Sequence, residues 1–127
     1  MGMNSNSDKN VLICDDEPHI RESIRYAVNK EGYSYKMVGD GIAAFEQACE
    51  YKPDLIVLDV GMPGMTGYEV CKKIRETPGM ETTLVLILTA FGQTTDKDKA
   101  MEAGANDFMI KPFSPKDLRA KIKEILE

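Results

Sequence analysis

The sequence predicts an α/β fold, a doubly wound five-stranded parallel sheet with five helices distributed over its two faces. Three continuous apolar runs, typical of strands buried on both faces, occur at residues 11–14, 55–58 and 84–88. Stretches with apolar residues at helical spacing separate the strands from one another. This regular alternation favours a parallel sheet with right-handed crossovers and helices on both faces.

The first part of the chain alternates strand, helix, strand and helix. After the strand at residues 11–14, an acidic residue caps a helix that begins at Pro18 and ends at Gly32. Residues 33–38 alternate between apolar and polar side chains, which predicts an edge strand. The next helix ends before Pro53, and its predicted apolar face consists of Ile42, Phe45, Ala48 and Cys49.

The rest of the chain continues the alternation from the strand at residues 55–58. A third helix ends at Pro78, and the strand at 84–88 follows it. Residues 93–103 form a weak helix, with only Ala100, Met101 and Ala103 to bury. Residues 107–110 form a short fifth strand, the second edge of the sheet. The apolar stripe of the last helix consists of Leu118, Ile122, Ile125 and Leu126.

The length of 127 residues indicates one domain, predicted over residues 10–127, with residues 1–9 as a flexible N-terminal tail. The formal net charge of -5 argues against a nucleic-acid-binding surface, which is normally basic. No apolar run approaches the length of a membrane span, so no membrane association is expected. The three cysteines lie in apolar strand or helix patterns and form no C-x-x-C pair, which favours buried, reduced thiols in a cytoplasmic protein.

Polar residues that could bind a ligand or take part in catalysis lie where the predicted strands end. At the carboxyl ends of the first, third, fourth and fifth strands lie Asp15, Asp16, Asp59, Thr89 and Lys111. Each has a structural explanation of its own: an aspartate can start a turn or cap a helix, a threonine can end a strand, and a lysine can be solvated. Parallel strands, however, bring all these ends to one edge, where open α/β sheets bind their ligands. Convergence of the whole set by accident is much less expected than any single coincidence.

Electrostatics gives a separate reason to expect a metal at this edge. Three carboxylates within a few ångströms repel one another by a few kcal/mol per pair at an effective dielectric constant of about 20. Lys111 offsets one of the three charges and leaves about two. A divalent cation neutralises the remainder, and a set of oxygen ligands favours Mg²⁺ or Mn²⁺.

In this ordered set of motifs the chain resembles the response-regulator receiver domains of two-component signalling, from residue 10 to residue 127. The matching residues are the acidic pair Asp15-Asp16, Asp59 followed by Val-Gly-Met-Pro-Gly-Met-Thr-Gly, Thr89-Ala90, and Phe108 before Lys111-Pro112-Phe113. The resemblance implies a flavodoxin-like sheet with strand order 2-1-3-4-5. It also implies a cis peptide bond between Lys111 and Pro112.

The resemblance implies a role for each site residue. Asp16 and Asp59 would bind Mg²⁺ directly, Asp15 would bind it through water, and the Gly61 carbonyl would add a ligand. Asp59 would be the phosphoacceptor of a self-phosphorylating and self-dephosphorylating module that is not a turnover enzyme. The catalytic partners of Asp59 would be the Lys111 ammonium, the Thr89 hydroxyl and the Ala90 backbone N–H.

The partners follow from the same resemblance. The phosphoryl donor would be a histidine kinase or a phosphotransfer protein, and the product would control a downstream protein or an output domain. Thr89 and Phe108 would act as the switch that changes the surface of the fourth helix, fifth strand and fifth helix. The charges of Asp107, Asp117 and Lys121 partly match the pattern by which winged-helix regulators form phosphorylation-dependent homodimers through the last strand and helix. Asp and Lys are also common on a solvated helix face, which is the alternative explanation.

Two other classes of function fit part of the pattern. A magnesium phosphatase of the haloacid-dehalogenase type also uses an aspartyl nucleophile, but it needs D-x-D after the first strand, whereas this chain has Asp15-Asp16-Glu17. A pseudo-receiver would fold in the same way without accepting phosphate. Pseudo-receivers usually lose part of the acidic pocket, and this chain keeps all of it.

Overall fold

A computed structural model of the chain describes residues 9–90 and 94–127. The predicted tail therefore lies outside the described residues except for Lys9, as does Gln93, the predicted first residue of the fourth helix. None of the described helices combines the length and the apolar character that a membrane crossing requires.

Strands and helices alternate strictly along the described chain. The strands are β1 (Asn10–Cys14), β2 (Ser34–Val38), β3 (Leu55–Asp59), β4 (Leu84–Thr89) and β5 (Asp107–Ile110). The helices are α1 (Pro18–Lys30), α2 (Gly41–Tyr51), α3 (Gly67–Glu76), α4 (Thr94–Glu102) and α5 (Pro115–Leu126). The predicted elements are confirmed, with bounds that differ by a few residues at most.

All five strands run parallel in one sheet with the order β2-β1-β3-β4-β5. The expected flavodoxin-like order and both predicted edge strands are therefore confirmed. The central strand β3 is buried along its whole length, which explains its unbroken apolar run. In the register of the sheet, Asp59 lies opposite Leu88 of β4, one residue before Thr89.

The two faces of the sheet bury separate apolar layers. One layer joins α2, α3 and α4 to the sheet, and Ile56, Leu58 and Ile87 are fully buried in it. The other joins α1 and α5, with Leu88 and Leu118 among its fully buried residues. Because successive side chains of a strand point to opposite faces, each strand contributes to both layers.

Three predictions about individual residues were wrong. Ile42 and Met101 were placed on buried helix faces but are 51% and 47% exposed. Ile42 lies in the first turn of α2 and Met101 in the last turn of α4, and periodicity does not show how well a terminal turn is covered. Cys49 is half-buried, whereas Cys14 and Cys71 are buried as expected, and all three are free thiols.

The start of α1 also differs from the prediction. Its N-cap residue is Glu17, and the Glu17 side chain makes no capping hydrogen bond. The Asp15 carboxylate instead accepts a hydrogen bond from the Glu17 backbone N–H, at 2.9 Å. The side chain that accepts a backbone N–H before α1 is therefore that of Asp15 and not that of the N-cap residue.

Candidate functional site

Three carboxylates meet at the carboxyl ends of β1 and β3. One carboxylate oxygen each from Asp15, Asp16 and Asp59 lies within 4.8 Å of the others. Asp15 and Asp59 are buried, whereas Asp16 is exposed. The cluster forms because β1 and β3 are neighbours in the sheet, although their last residues are far apart in sequence.

Lys111 reaches this cluster from the end of β5. Its Nζ donates a hydrogen bond to Asp59 Oδ1 at 2.7 Å and forms an ion pair with Asp15 Oδ2 at 3.1 Å. Burial lowers the pKa of Lys111, but the hydrogen bonds and charges of the two aspartates outweigh it, so the pKa is raised overall. The lysine is therefore held as an ammonium ion against Asp59. The Lys111–Pro112 peptide bond that follows β5 is cis, the geometry that the resemblance implies.

Asp15 is the carboxylate whose pKa is raised by the burial and crowding of the cluster. Its fully buried side chain has the Glu17 N–H on Oδ1 and shares the Lys111 ammonium with Asp59 through Oδ2. Burial raises the pKa of Asp15, and the charge of Asp59 raises it further, although the Glu17 amide and Lys111 offset part of this rise. One lysine thus leaves the carboxylate cluster with uncompensated negative charge.

The loop after β3 holds Asp59 in place through a close backbone contact. The Gly67 N–H donates to the Val60 carbonyl at 3.2 Å. A Cβ on Gly67 would lie 2.5 Å from the Asp59 carbonyl oxygen, so the position admits only glycine without a backbone shift. Thr66 caps α3 and forms a reciprocal capping box with Glu69. This arrangement fixes the start of α3 against the end of β3.

An open cavity of about 400 Å³ lies beside the carboxylates. It is lined by six of the predicted site residues, Asp16, Asp59, Gly61, Thr89, Ala90 and Lys111. Five residues that were not predicted as site residues also line it: Glu17 and Val60, which adjoin predicted ones, and Tyr68, Asp96 and Lys99 from α3 and α4. A larger groove of about 610 Å³ between α3 and α4 shares Tyr68 and Lys99 with this cavity but contains none of the clustered carboxylates.

Phe108, the second residue of the predicted switch, does not line the cavity. It lies in β5, is half-buried and packs against the apolar layer shared with α2, α3 and α4. Thr89 is 1% exposed at the end of the neighbouring strand β4. The two residues of the predicted switch therefore lie on adjacent strands.

A family model, the response regulator receiver domain, matches residues 11–123. The chain belongs to this family. It is a receiver domain of two-component response regulators, a family of signalling modules and not of turnover enzymes.

Individual relatives agree with this membership. The chain is 42% identical to the alkaline phosphatase synthesis transcriptional regulatory protein PhoP of Bacillus subtilis over 119 residues, which are 94% of this chain and 49% of PhoP. The receiver domain thus spans about half the length of the curated relatives it matches.

Solved structures resemble the receiver domain throughout. The chemotaxis response regulator CheY4 of Vibrio cholerae has a TM-score of 0.88 and 31% identity, over 93% of this chain and 98% of that one. The receiver domain of the sensor histidine kinase PA1611 from Pseudomonas aeruginosa has a TM-score of 0.84 and 27% identity, over 93% and 97% of the chains. The PA1611 structure has a magnesium ion coordinated in its active-site cleft.

The residues of this receiver domain fit a magnesium ion. Receiver domains bind Mg²⁺ at an acidic pocket, and the carboxylate cluster supplies such a pocket. Hard oxygen donors are the ligands that Mg²⁺ prefers. Three carboxylates share a single lysine, so the cluster retains net negative charge that a divalent cation can balance.

A sequence signal for the missed residues did exist. Tyr68 lies in the first turn of α3, and Asp96 lies in the first turn of α4. In a parallel sheet, the helix that follows a strand begins at the same edge where that strand ends. First-turn residues of α3 and α4 were therefore candidates for the rim of the site.

Proposed function

We propose that Asp59 of this receiver domain accepts a phosphoryl group from a phosphohistidine on a histidine kinase or a phosphotransfer protein. The observation that carries this proposal is the position of Asp59. Its carboxylate ends the central strand, lies beside two further carboxylates, contacts the Lys111 ammonium at 2.7 Å and opens onto a cavity. A carboxylate in such a position suits a nucleophile for phosphoryl transfer.

The chemistry requires one new bond and one broken bond. A carboxylate oxygen of Asp59 attacks phosphorus, and the P–N bond of the phosphohistidine breaks. Lys111 holds Asp59 Oδ1, which leaves Oδ2, on the Gly61 side, as the attacking oxygen. Phosphoryl transfer depends mainly on positioning and on neutralising the equatorial oxygens, for which the Lys111 ammonium, the Thr89 hydroxyl and the Ala90 N–H are suitable donors.

We assign the metal ligands from the exposure and bonding of each carboxylate. Asp16 is exposed and open to direct coordination together with Asp59, whereas Asp15 is already engaged by Glu17 and Lys111, which favours contact through water. The Gly61 carbonyl would complete the protein ligands. A bound Mg²⁺ supplies charge neutralisation for the transferring phosphoryl group, and Mn²⁺ can substitute because it accepts the same oxygen donors.

The output of the module is a surface change. We propose that Thr89 moves towards the phosphoryl group and that Phe108 follows, which alters the surface of α4, β5 and α5 for a downstream protein or an output domain. Met101 and Ile110 are apolar residues exposed on this surface, at 47% and 43%. This exposure also supports a phosphorylation-dependent homodimer. Within one chain Lys121 is already paired with Asp107 at 2.7 Å, and Asp117 is exposed.

The remaining assignments rest on composition and on the free thiols. We propose that residues 10–127 are the folded module, preceded by a tail over residues 1–9. The net charge of -5 supports protein partners over nucleic acid or an anionic membrane surface. The three free cysteines support a cytoplasmic location.

Mass spectrometry tests the proposal directly. After incubation with acetyl phosphate and Mg²⁺, or with a cognate kinase, the wild-type chain should gain one phosphoryl group, and peptide mapping should place it on Asp59. Asp59→Asn should gain none, while Asp98→Asn, a matched change at an exposed position of α4, should behave as wild type. A phosphoryl group that persists in Asp59→Asn would refute the assignment.

A further inference from the structure

Two polar atoms that the phosphorylation chemistry does not use are buried at the cavity beside Asp59. They are the hydroxyl oxygen of Tyr68 and Oδ2 of Asp96, and neither has a hydrogen-bond partner among residues 9–90 and 94–127. Buried polar atoms are nearly always paired, so each such atom calls for a ligand or a water molecule. Both residues line the same cavity as Asp59.

The two atoms are complementary. A tyrosine hydroxyl can donate a hydrogen bond, whereas a carboxylate oxygen can only accept one. Burial raises the pKa of Tyr68, and the nearby charge of Asp96 raises it further, while the neighbouring Thr89 hydroxyl offsets part of this rise. The hydroxyl therefore keeps its proton and can donate it to a hydrogen bond. A water molecule between them would accept from Tyr68 and donate to Asp96. A cavity of about 400 Å³ leaves room for it, since a buried water needs only two to four polar partners.

Gly61 lines the same cavity as this pair and places no side chain beside Asp59. A Cβ on Gly61 would lie 3.7 Å from Asp59 Oδ2, so any longer side chain at this position would stand close to the carboxylate. Glycine leaves that space to solvent. The chain thus has no side chain at position 61 that could orient water, whereas α3 and α4 contribute polar groups to the lining of the same cavity.

We propose that Tyr68 and Asp96 position the water molecule that hydrolyses phospho-Asp59, an inference that rests on the proposed function. The water oxygen attacks phosphorus, and the bond between phosphorus and the Asp59 carboxylate oxygen breaks. Asp59 returns as a carboxylate, and inorganic phosphate leaves. Asp96 Oδ2 accepts the proton that the attacking water loses and then releases it to solvent. Tyr68 donates a hydrogen bond to the same water and orients it.

Asp96 suits this task better than the carboxylates of the cluster. Asp15 is held by Glu17 and Lys111, and Asp16 belongs to the cation cluster, so neither is free to accept a proton from water. Asp96 lies outside that cluster. Lys99, one turn further along α4, lines the same cavity and brings a positive charge that offsets the repulsion between Asp96 and a phosphoryl group.

The experiment separates the loss of the phosphoryl group from its uptake. The chain is phosphorylated with acetyl phosphate and Mg²⁺, freed of donor by rapid desalting, and its phosphoprotein fraction is followed over time on phosphate-affinity gels. Relative to wild type, Asp96→Asn should lower the ratio of the decay rate to the uptake rate at least about tenfold, because a positioned base contributes about 10²–10⁴ to a rate. Tyr68→Phe should lower the same ratio about threefold, the effect of one hydrogen bond. Asp96→Glu should restore part of the decay rate.

Matched variants serve as controls for helix and side-chain changes. Asp98→Asn makes the same substitution at an exposed position of α4, and Tyr26→Phe removes the hydroxyl of a tyrosine that is 52% exposed. Both should decay as wild type. Equal decay in Asp96→Asn and Asp98→Asn, or faster decay in Asp96→Asn, would overturn the inference while the proposed function stands. A wild-type chain that takes up no phosphoryl group would overturn the proposed function and this inference with it.

Discussion

Polar groups are hydrogen-bonded to the backbone at the amino end of the sheet, whereas charged groups are crowded at its carboxyl end. At the amino end, polar groups are paired with the backbone: Asp54 accepts from the Asn10 N–H at 2.8 Å, and Arg75 donates to the carbonyls of Gly104, Glu81 and Thr83. At the carboxyl end, three carboxylates share one lysine. Of the buried side-chain atoms without a hydrogen-bond partner in the described chain, those of Tyr68 and Asp96 lie at this end.

This difference separates stability from function. Paired polar groups at the amino end fix the strands, the α3–β4 loop and the α4–β5 loop relative to one another. Unpaired acceptors and crowded charges at the carboxyl end lower stability, and they persist because the rest of the fold holds them in place. The carboxyl end is therefore built to bind a ligand, and substitutions at the two ends should have effects of opposite sign.

Arg75→Ala should produce the largest change. The guanidinium joins α3 to the α3–β4 loop and the α4–β5 loop, with distances of 2.8 Å to Gly104, 2.5 Å to Thr83 and 2.9 Å to Asn106 Oδ1. Because hydrogen bonds from a charged donor contribute about 1.5–3 kcal/mol each and are not additive, we expect a loss of about 3 kcal/mol in the free energy of unfolding. Urea denaturation measures it.

Arg25→Ala is the matched control for this change. Arg25 pairs with Glu22 one turn away on the surface of α1, at 2.9 Å. A pair of this kind contributes roughly 0.2–1 kcal/mol, so the free energy of unfolding should fall by no more than that. Similar losses for the two variants would mean that the amino end of the sheet has no special role in stability.

Gly67→Ala should have the next largest effect, because Gly67 contributes both to stability and to the position of Asp59. The added Cβ would lie 2.5 Å from the Asp59 carbonyl oxygen and would push the start of α3 away from β3. Overpacking of this kind costs about 1–3 kcal/mol. Because the displaced backbone is that of Asp59, phosphoryl uptake from acetyl phosphate should fall together with stability. Gly79→Ala, which strains a positive φ of 92° without any neighbour within 4 Å, should lower stability but leave uptake unchanged.

Asp15→Asn should change stability least and with the opposite sign. The raised pKa of Asp15 means that its contribution is fully present below its unfolded pKa and is lost as pH rises through the folded pKa. In metal-free buffer, the stability of the variant relative to wild type should therefore increase between pH 4 and pH 7. Urea denaturation in EDTA at several pH values measures this difference. A difference that shrinks as pH rises would mean that Asp15 stabilises the metal-free protein as a carboxylate.

Most of the fold could be predicted because its signals are local. Apolar runs gave the strands, helical spacing gave the helices, and glycine or proline marked most of the breaks. The grouping of Asp15, Asp59 and Lys111 also followed, since parallel strands end at one edge. The strand order itself needed the resemblance to a known family, because alternation alone does not determine which strands are neighbours.

The rest depended on contacts between distant parts of the chain. Periodicity placed Ile42 and Met101 on buried faces, but it cannot show whether a terminal turn of a helix is covered by the rest of the fold. The Arg75 contacts join residues up to 31 positions apart, and no sequence motif predicts them. Tyr68 and Asp96 meet at the cavity only because α3 and α4 begin at the same edge.

The central claim is that the carboxylate cluster is completed by a divalent cation, and thermal unfolding with and without Mg²⁺ tests it most directly. If the site is half-saturated near 1 mM, 10 mM MgCl₂ should stabilise the wild-type chain by about 1.4 kcal/mol and raise its Tm by roughly 5 °C over NaCl of equal ionic strength. Asp16→Asn should melt slightly higher than wild type without metal, because one repelling charge is gone, and should lose most of the response to Mg²⁺. A wild-type Tm that does not change with Mg²⁺ would contradict the account.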